Sequence, residues 1–136
     1  MTGKVNVIFK DYTIIGQDSI NAAHAAHCAG EQGKFWQYHN TLFDNWAGEN
    51  NGWANQENLV KFAQQVELDM NEFTQCNLQE KYTKIISTCN TDAQTLGITR
   101  TPAFYVISMN GRLLQQIQGA QPYYLFAKIF YSILDL

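Results

Sequence analysis

Cysteine side chains are the first candidates for chemistry in this sequence, and they are few. The three thiols, Cys28, Cys76 and Cys89, are widely spaced, and no two of them form a Cys-x-x-Cys dithiol pattern. Three cysteines allow at most one internal disulfide and leave one thiol over, which excludes a disulfide-rich scaffold. A single structural bridge is compatible with the sequence and would indicate an oxidising compartment.

A second group of candidate side chains lies in the sequence His24-x-x-His27-Cys28, with Glu31 and His39 nearby. A helix places residues four positions apart on one face, so His24 and Cys28 have a spacing that can hold a metal ion. Histidines that only pack between helices explain the same pattern. The metal site is therefore an alternative, and no metal ligand is assigned.

The third candidate is the segment Arg100-Thr101-Pro102, which leads into the apolar stretch Ala103 to Ile107. A proline cannot donate a hydrogen bond to a sheet, so it belongs at the first residue of a strand. Two interpretations follow from the residues alone. The proline either marks a simple strand start or forms a cis peptide bond that turns the backbone before the strand toward a ligand.

The hydrophobic pattern predicts the elements that position these residues, in the order strand, five helices, hairpin, helix. The first strand is expected at Lys4–Tyr12, and a first helix is capped by Asp18 or Ser19 and ended by Gly30. Further helices are expected from about Gly33, from Asn55, from Asp69, from Gln79 to Leu96, and after Pro122. The last helix carries an apolar stripe that we expect to be buried, namely Phe126, Ile129, Phe130 and Ile133. Asn110-Gly111 predicts a hairpin turn between strands at Ala103–Ile107 and Leu113–Gln118.

Composition excludes several classes of function. The 136 residues are 46% hydrophobic and carry nine Lys+Arg against twelve Asp+Glu, a net charge of −3. This composition predicts one folded domain rather than a disordered or coiled-coil chain. Without a basic surplus, nucleic acid is not expected as a partner. No run of about 18 apolar residues is present, so no membrane-spanning helix is expected.

Taken together, the segments resemble the DsbA-like thiol–disulfide oxidoreductases. The series formed by residues 97–102, the Asn110-Gly111 hairpin and residues 119–123 is similar to the C-terminal half of a thioredoxin-like fold. Residues 25–39 and 73–76 resemble the inserted helical domain of that family, and residues 2–19 resemble the strand and connection leading into it. The resemblance implies an α/β, thioredoxin-like fold. Residues 1–17 and 97–136 would form its thioredoxin-like part, and residues 18–96 its helical insertion and connecting helix.

The resemblance also carries expectations for particular residues. The family's Thr-Pro has a cis bond that faces the active site, which implies a substrate-binding role for Arg100, Thr101 and Pro102. Cys28 and Cys76 both fall in the helical insertion, where they are either two core thiols or a structural bridge across two packed helices. Both interpretations stay open, and Cys89 is the free thiol in either case. No cofactor is expected.

The sequence departs from the family in one respect. The family begins with a strand and a Cys-x-x-Cys at a helix N-terminus, and this chain contains neither. Thiol exchange needs a thiolate of low pKa and a second, resolving thiol, so no catalytic residue is assigned. We therefore expect a fold whose first β–α unit is missing, which leaves Lys4–Tyr12 and Ala103–Ile107 without their central neighbour. They could pair directly, pair in a homodimer or strand-exchanged dimer, or accept a strand from a separate polypeptide; self-association is favoured.

We accordingly expect a redox-inactive, DsbA-like protein that keeps a peptide-docking edge at Arg100–Pro102 and binds a polypeptide or protein partner. One alternative is a fragment of an active extracytoplasmic disulfide oxidoreductase. Another is a small metal-binding or structural protein that uses His24, His27 and Cys28. A cytoplasmic location is expected if Met1 is the true start, and an extracytoplasmic one if the chain is part of a longer protein.

Overall fold

The computed structural model describes residues 3–134, which contain both helices and a small antiparallel sheet. The elements are α1 (Gln17–Glu31), α2 (Phe35–Asp44), α3 (Gln56–Gln65), α4 (Met70–Leu78), α5 (Thr83–Thr95), β1 (Ala103–Ile107), β2 (Leu113–Gln118) and α6 (Tyr123–Leu134). The described chain divides into two compact units, residues 10–93 and residues 3–9 with 94–134. We refer to these as the helical unit and the hairpin unit. The domain boundaries expected from the sequence, at residues 17/18 and 96/97, stay a prediction.

The core of the helical unit forms where α1 contacts α2, α3 and α4. Small side chains on α1, among them Ala25 and Ala29, are fully buried and let the neighbouring helices approach closely. The largest fully buried side chains are Tyr38 on α2 and Phe73 on α4, whose ring centroids are 5.6 Å apart. The Tyr38 hydroxyl donates to the carbonyl of Leu59 at 2.9 Å, so the one polar atom of this buried ring has a partner.

Two of the predicted helix starts are confirmed by their capping contacts. The Asn55 side chain accepts a hydrogen bond from the Asn58 amide, and the Asp69 carboxylate accepts from the Asn71 and Glu72 amides. Each cap satisfies an amide that the first turn of a helix leaves without an intrahelical partner.

The expected boundaries of α1 were wrong at both ends. The helix begins at Gln17 after Gly16, and Asp18 does not cap it but accepts a hydrogen bond from the Gly52 amide at 2.8 Å. Gly30 lies inside the helix, and the residue in the left-handed conformation is Gly33, with φ of 71°. The Lys34 amide bonds to the Ala29 carbonyl and the Gly33 amide to the Gly30 carbonyl, the pattern of a Schellman motif. The motif places the terminating glycine three residues later than expected.

The fifth helix is also shorter than expected. It begins at Thr83 rather than Gln79, because residues 79–82 form turns and Glu80 has a positive φ of 47°.

In the hairpin unit, β1 and β2 have the predicted bounds, and the turn lies at Asn110-Gly111. The strands pair antiparallel in the register Ala103↔Gln118 to Val106↔Gln115, followed by a bulge between Val106 and Ile107. The expected buried stripe of α6 was wrong, since this helix has no buried residue and Ile133 is 38% exposed. A two-stranded sheet offers α6 too little surface to cover a full apolar face.

The predicted strand at Lys4–Tyr12 is absent. Residues 4–14 carry neither helix nor strand, and the side chains of Val7 and Ile8 are 68% and 79% exposed. A strand needs a hydrogen-bonded neighbour, and within residues 3–134 β1 pairs with β2 alone. The direct pairing of Lys4–Tyr12 with Ala103–Ile107, one of the three expected arrangements, is therefore not present. The helices of residues 3–134 are all too short or too polar to cross a membrane.

Candidate functional site

The Arg100-Thr101-Pro102 segment lies directly before β1, and all three residues are exposed. Its Thr101–Pro102 peptide bond is cis. The Pro102 carbonyl accepts a hydrogen bond of 2.7 Å from the amide of Gly119, which has a φ of 79°. This bond extends the β1–β2 ladder by one pair and fixes the backbone of Pro102 against the end of β2.

The register determines which backbone groups of β1 face away from β2. The Pro102 carbonyl bonds to β2, and along an antiparallel strand every second residue directs its backbone groups to the same neighbour. The backbone amides and carbonyls of Phe104 and Val106 therefore also point toward β2. The amides and carbonyls of Ala103 and Tyr105 therefore point to the opposite edge of β1. Within the described residues no strand pairs with that edge. The structure thus brings the Arg100–Pro102 segment and an unpaired strand edge together in one continuous stretch.

The cysteines lie in the helical unit and present no exposed thiol. Cys28 on α1 and Cys76 on α4 form a disulfide with a Cα–Cα distance of 5.8 Å, and their exposures are 1% and 6%. Cys89 on α5 is a free, buried thiol. Among the described residues there is accordingly no thiol pair with the access and the neighbouring resolving cysteine that disulfide exchange needs.

His24, His27 and Cys28 do not converge. The Cys28 sulfur is bonded to Cys76 and has no thiolate to offer a metal ion. The His27 Nε2 lies 2.7 Å from the Asp11 Oδ2, and the His27 ring stacks on Tyr82 with centroids 4.8 Å apart. Nowhere in residues 3–134 do three His, Cys, Asp or Glu side chains form a cluster able to hold a metal ion.

His24 is buried, with 5% of its surface exposed. Burial lowers the pKa of its imidazole, against a smaller, opposing effect of the Glu80 carboxylate. Its Nε2 lies 3.4 Å from the Thr83 hydroxyl, and its Nδ1 is buried without a hydrogen-bond partner among the described residues.

Sequence reasoning missed a polar cluster that joins α1 to the start of α5. The Tyr82 hydroxyl donates to Glu31 Oε1 at 2.5 Å, and Lys81 pairs with the same carboxylate. Burial, together with the Glu31 hydrogen bond, raises the pKa of Tyr82 to about 12, and the Lys81 hydrogen bond lowers the pKa of Glu31. About fifty positions separate the partners in sequence, a distance over which no local pattern links them.

Comparisons with known proteins bear on the fold. A solved structure described as a thioredoxin-like oxidoreductase from Silicibacter pomeroyi DSS-3 superposes with a TM-score of 0.71 at 23% sequence identity, over 93% of this chain and 67% of that one. At this identity the likeness shows the fold alone. No match to a curated protein was found.

The sequence itself matches a family model described as thioredoxin over residues 1–121. This match and the structural likeness agree with the α/β fold expected from the resemblance. The chain therefore belongs to the thioredoxin family, as a DsbA-like thioredoxin-fold protein.

Proposed function

We propose that this chain binds an extended polypeptide along Arg100–Thr101–Pro102 and the free edge of β1, and that its own cysteines do not catalyse dithiol exchange. The observation that carries the proposal is the continuity of an exposed segment with an unpaired strand edge. The outward amides and carbonyls of Ala103 and Tyr105 can pair with an added strand, which is a common mode of peptide recognition.

The redox part of the proposal rests on the cysteines. Dithiol exchange needs an accessible thiolate and a resolving thiol, usually in Cys-x-x-Cys. This chain contains no such motif, its Cys28 and Cys76 are joined to each other, and Cys89 is buried. We expect no reduction of insulin and no oxidation of a dithiol peptide. Turnover by the purified chain would instead favour the alternative, a fragment of an active extracytoplasmic disulfide oxidoreductase.

The docking edge is tested with a pair of variants at one position. Ala103→Pro removes an outward amide from the edge, whereas Ala103→Ser keeps it. We expect Ala103→Pro to bind a fluorescent, extended peptide about fivefold to tenfold more weakly than the parent, a loss that corresponds to the free energy of one hydrogen bond. Ala103→Ser should bind the peptide like the parent. Equal anisotropy titrations for all three proteins would contradict the proposed edge.

A second copy of the chain is the partner that we favour for this edge. Val5, Val7 and Ile8 are exposed by 45%, 68% and 79%, in a segment rich in residues that favour strands. Pairing this segment with β1 of a second copy would satisfy the outward groups of β1 and cover these side chains. Light scattering at micromolar concentration should give a dimer that Ile8→Lys converts to a monomer. A parent chain that is already monomeric contradicts self-association but leaves peptide docking standing.

A further inference from the structure

Charge is divided unevenly between the two units. All but one of the twelve Asp and Glu residues lie in the helical unit, and the remaining one, Asp135, lies outside the described residues. The ion pairs that residues 3–134 form all belong to the helical unit as well. The described part of the hairpin unit contains no carboxylate side chain but four cations, namely Lys4, Arg100, Arg112 and Lys128. Its surface is therefore positive and should attract acidic partners.

A groove of about 660 Å³ lies within the hairpin unit, between β2 and α6. Every residue from Leu114 to Gln118 lines it, so it follows the edge of β2 that faces away from β1. Among its described lining residues, Lys128 is the only charged one. The α6 residues of the lining form two adjacent rows with four-residue spacing, one of Leu125, Ile129 and Ile133 and one of Lys128 and Ser132. An aliphatic row thus lies beside a row that carries a cation.

The aliphatic side chains of this groove are only partly covered. Ile117 is buried, but Leu114 and Ile133 are 37% and 38% exposed. Helix α6 contributes no buried residue at all among those described. A partner that covered the aliphatic row would remove apolar surface from water, which favours binding.

The outer edge of β2 differs from the free edge of β1. The backbone groups of Gln115 and Ile117 point toward β1, so the carbonyls of Gln116 and Gln118 point outward. Each of these carbonyls accepts a long side-chain hydrogen bond, from Gln115 Nε2 at 3.3 Å and from Gln121 Nε2 at 3.5 Å respectively. Glutamine side chains therefore occupy the acceptors that an added strand would use. This arrangement favours a partner that packs through its side chains over a partner that adds a strand.

We propose that the groove between β2 and α6 binds an acidic amphipathic helix of a separate polypeptide. Residues four positions apart in a helix are about 6 Å apart along its axis, so an apolar row of the partner can lie along the matching row of α6. An adjacent row of Asp or Glu would then lie beside Lys128. Arg112 comes directly before β2 and adds positive charge near Leu114. No residue of the groove belongs to the Arg100–Pro102 segment or to β1, so this surface does not depend on the proposed peptide edge.

Fluorescence anisotropy of labelled peptides with the unmodified chain tests the partner's chemistry. The probe is a fluorescein-labelled, 15-residue peptide helix with one row of leucines and an adjacent row of glutamates. Three control peptides replace the glutamates by lysines, replace the leucines by serines, or place a proline at the centre. We expect saturable binding of the acidic peptide that weakens as salt is raised, and binding of the controls that is weaker by about tenfold or more. Equal affinity for any control, or no saturable binding of the acidic peptide, overturns the proposal.

A pair of charge-reversal variants tests the site. Lys128→Glu should bind the acidic peptide about tenfold more weakly than the parent, because the cation beside the apolar row becomes an anion. Lys84→Glu makes the same change in net charge on an exposed residue of α5 that does not line the groove, so it should bind like the parent. Equal loss in both variants, or no loss in Lys128→Glu, contradicts the assigned groove.

Two further measurements separate this proposal from the others. Ala103→Pro, which alters the free edge of β1, should bind the acidic helix like the parent, so failure of the peptide edge and failure of the groove are distinguishable. Light scattering of the parent and of Lys128→Glu shows whether a second copy occupies the groove. Self-association that Lys128→Glu abolishes would assign the groove to a second copy and overturn the separate partner.

Discussion

Asp11 Oδ2 and His27 Nε2 lie 2.7 Å apart and tie the segment before α1 to the middle of that helix. The Asp11 side chain is only 7% exposed. The same segment is held to α5, where the Thr13 amide donates to Asn90 Oδ1 at 2.9 Å and Lys10 pairs with Asp92. Residues 10–13 have no helix or strand of their own, so these side-chain contacts position them.

The Asp11–His27 contact should be measurable by urea unfolding. Asp11→Ala leaves the His27 nitrogen without its partner and should lower the free energy of unfolding by about 1–3 kcal/mol. Asp11→Asn keeps an oxygen that can accept from the ring and should lose less than half as much. If Asp11→Ala is as stable as the parent, the contact contributes nothing to the fold.

The Cys28–Cys76 disulfide should add about 2–4 kcal/mol to the free energy of unfolding, because it restrains a long loop of the unfolded chain. We expect the Cys28→Ala/Cys76→Ala variant to unfold at lower urea, and a reductant to destabilise the parent but not the variant. Thiol titration of the denatured, unreduced parent should give one free thiol, from Cys89. Three free thiols would mean that the bridge does not form in solution.

Acid should destabilise the helical unit through His24. Burial lowers the pKa of this imidazole from its usual 6.5. As the pH falls below about 6.5, His24 therefore takes up a proton more readily in the unfolded chain than in the folded chain. The free energy of unfolding should therefore decrease from pH 7 toward pH 5. His24→Gln removes the titrating group and should flatten this slope. An unchanged slope in the variant would show that other groups cause it.

At alkaline pH, ionisation of Tyr82 should lower the free energy of unfolding. Its folded pKa is raised to about 12 from 10.0, so the phenol of the unfolded chain ionises first. The contribution that the neutral Tyr82 phenol makes to the free energy of unfolding is complete below pH 10 and is lost as pH rises toward 12. In urea unfolding over this range, Tyr82→Phe should weaken the decline in stability. A decline as steep as that of the parent would count against Tyr82 as its source.

The Tyr38 hydroxyl provides a fifth test. Tyr38→Phe keeps the ring that packs against Phe73 but removes the bond to the buried Leu59 carbonyl, at an expected cost of about 1–2 kcal/mol. Tyr38→Ala also empties the core and should cost about 3–5 kcal/mol. Similar denaturation midpoints for the two variants would show that the ring contributes little.

Local signals in the sequence predicted the elements that depend on a few adjacent residues. Asn110-Gly111 located the hairpin turn, and Asn55 and Asp69 located two helix starts, because each acts through hydrogen bonds within its own turn. The start of α1 was missed although Asp18 is a good capping residue, since its carboxylate bonds instead to Gly52, a residue 34 positions away.

Predictions that depend on distant partners were less successful. The alternating residues Val5 to Phe9 favour a strand, but whether a strand forms depends on a neighbour that the local pattern does not specify. For the candidate site, the motif and the family resemblance led to Arg100–Pro102 as a proposed binding segment, whereas the unpaired edge of β1 is evident only from the pairing register. Likewise, the spacing of Cys28 and Cys76 left two interpretations open, because it does not fix the distance between their Cα atoms.

The bond between Cys28 and Cys76 encloses the largely exposed stretch of residues 43–52 within one covalent ring. A protease that cleaves once between the two cysteines would open this ring without releasing a piece. The nicked molecule would migrate as intact protein on a non-reducing gel and separate into two bands only after reduction. Digestion of this chain must therefore be scored under both conditions.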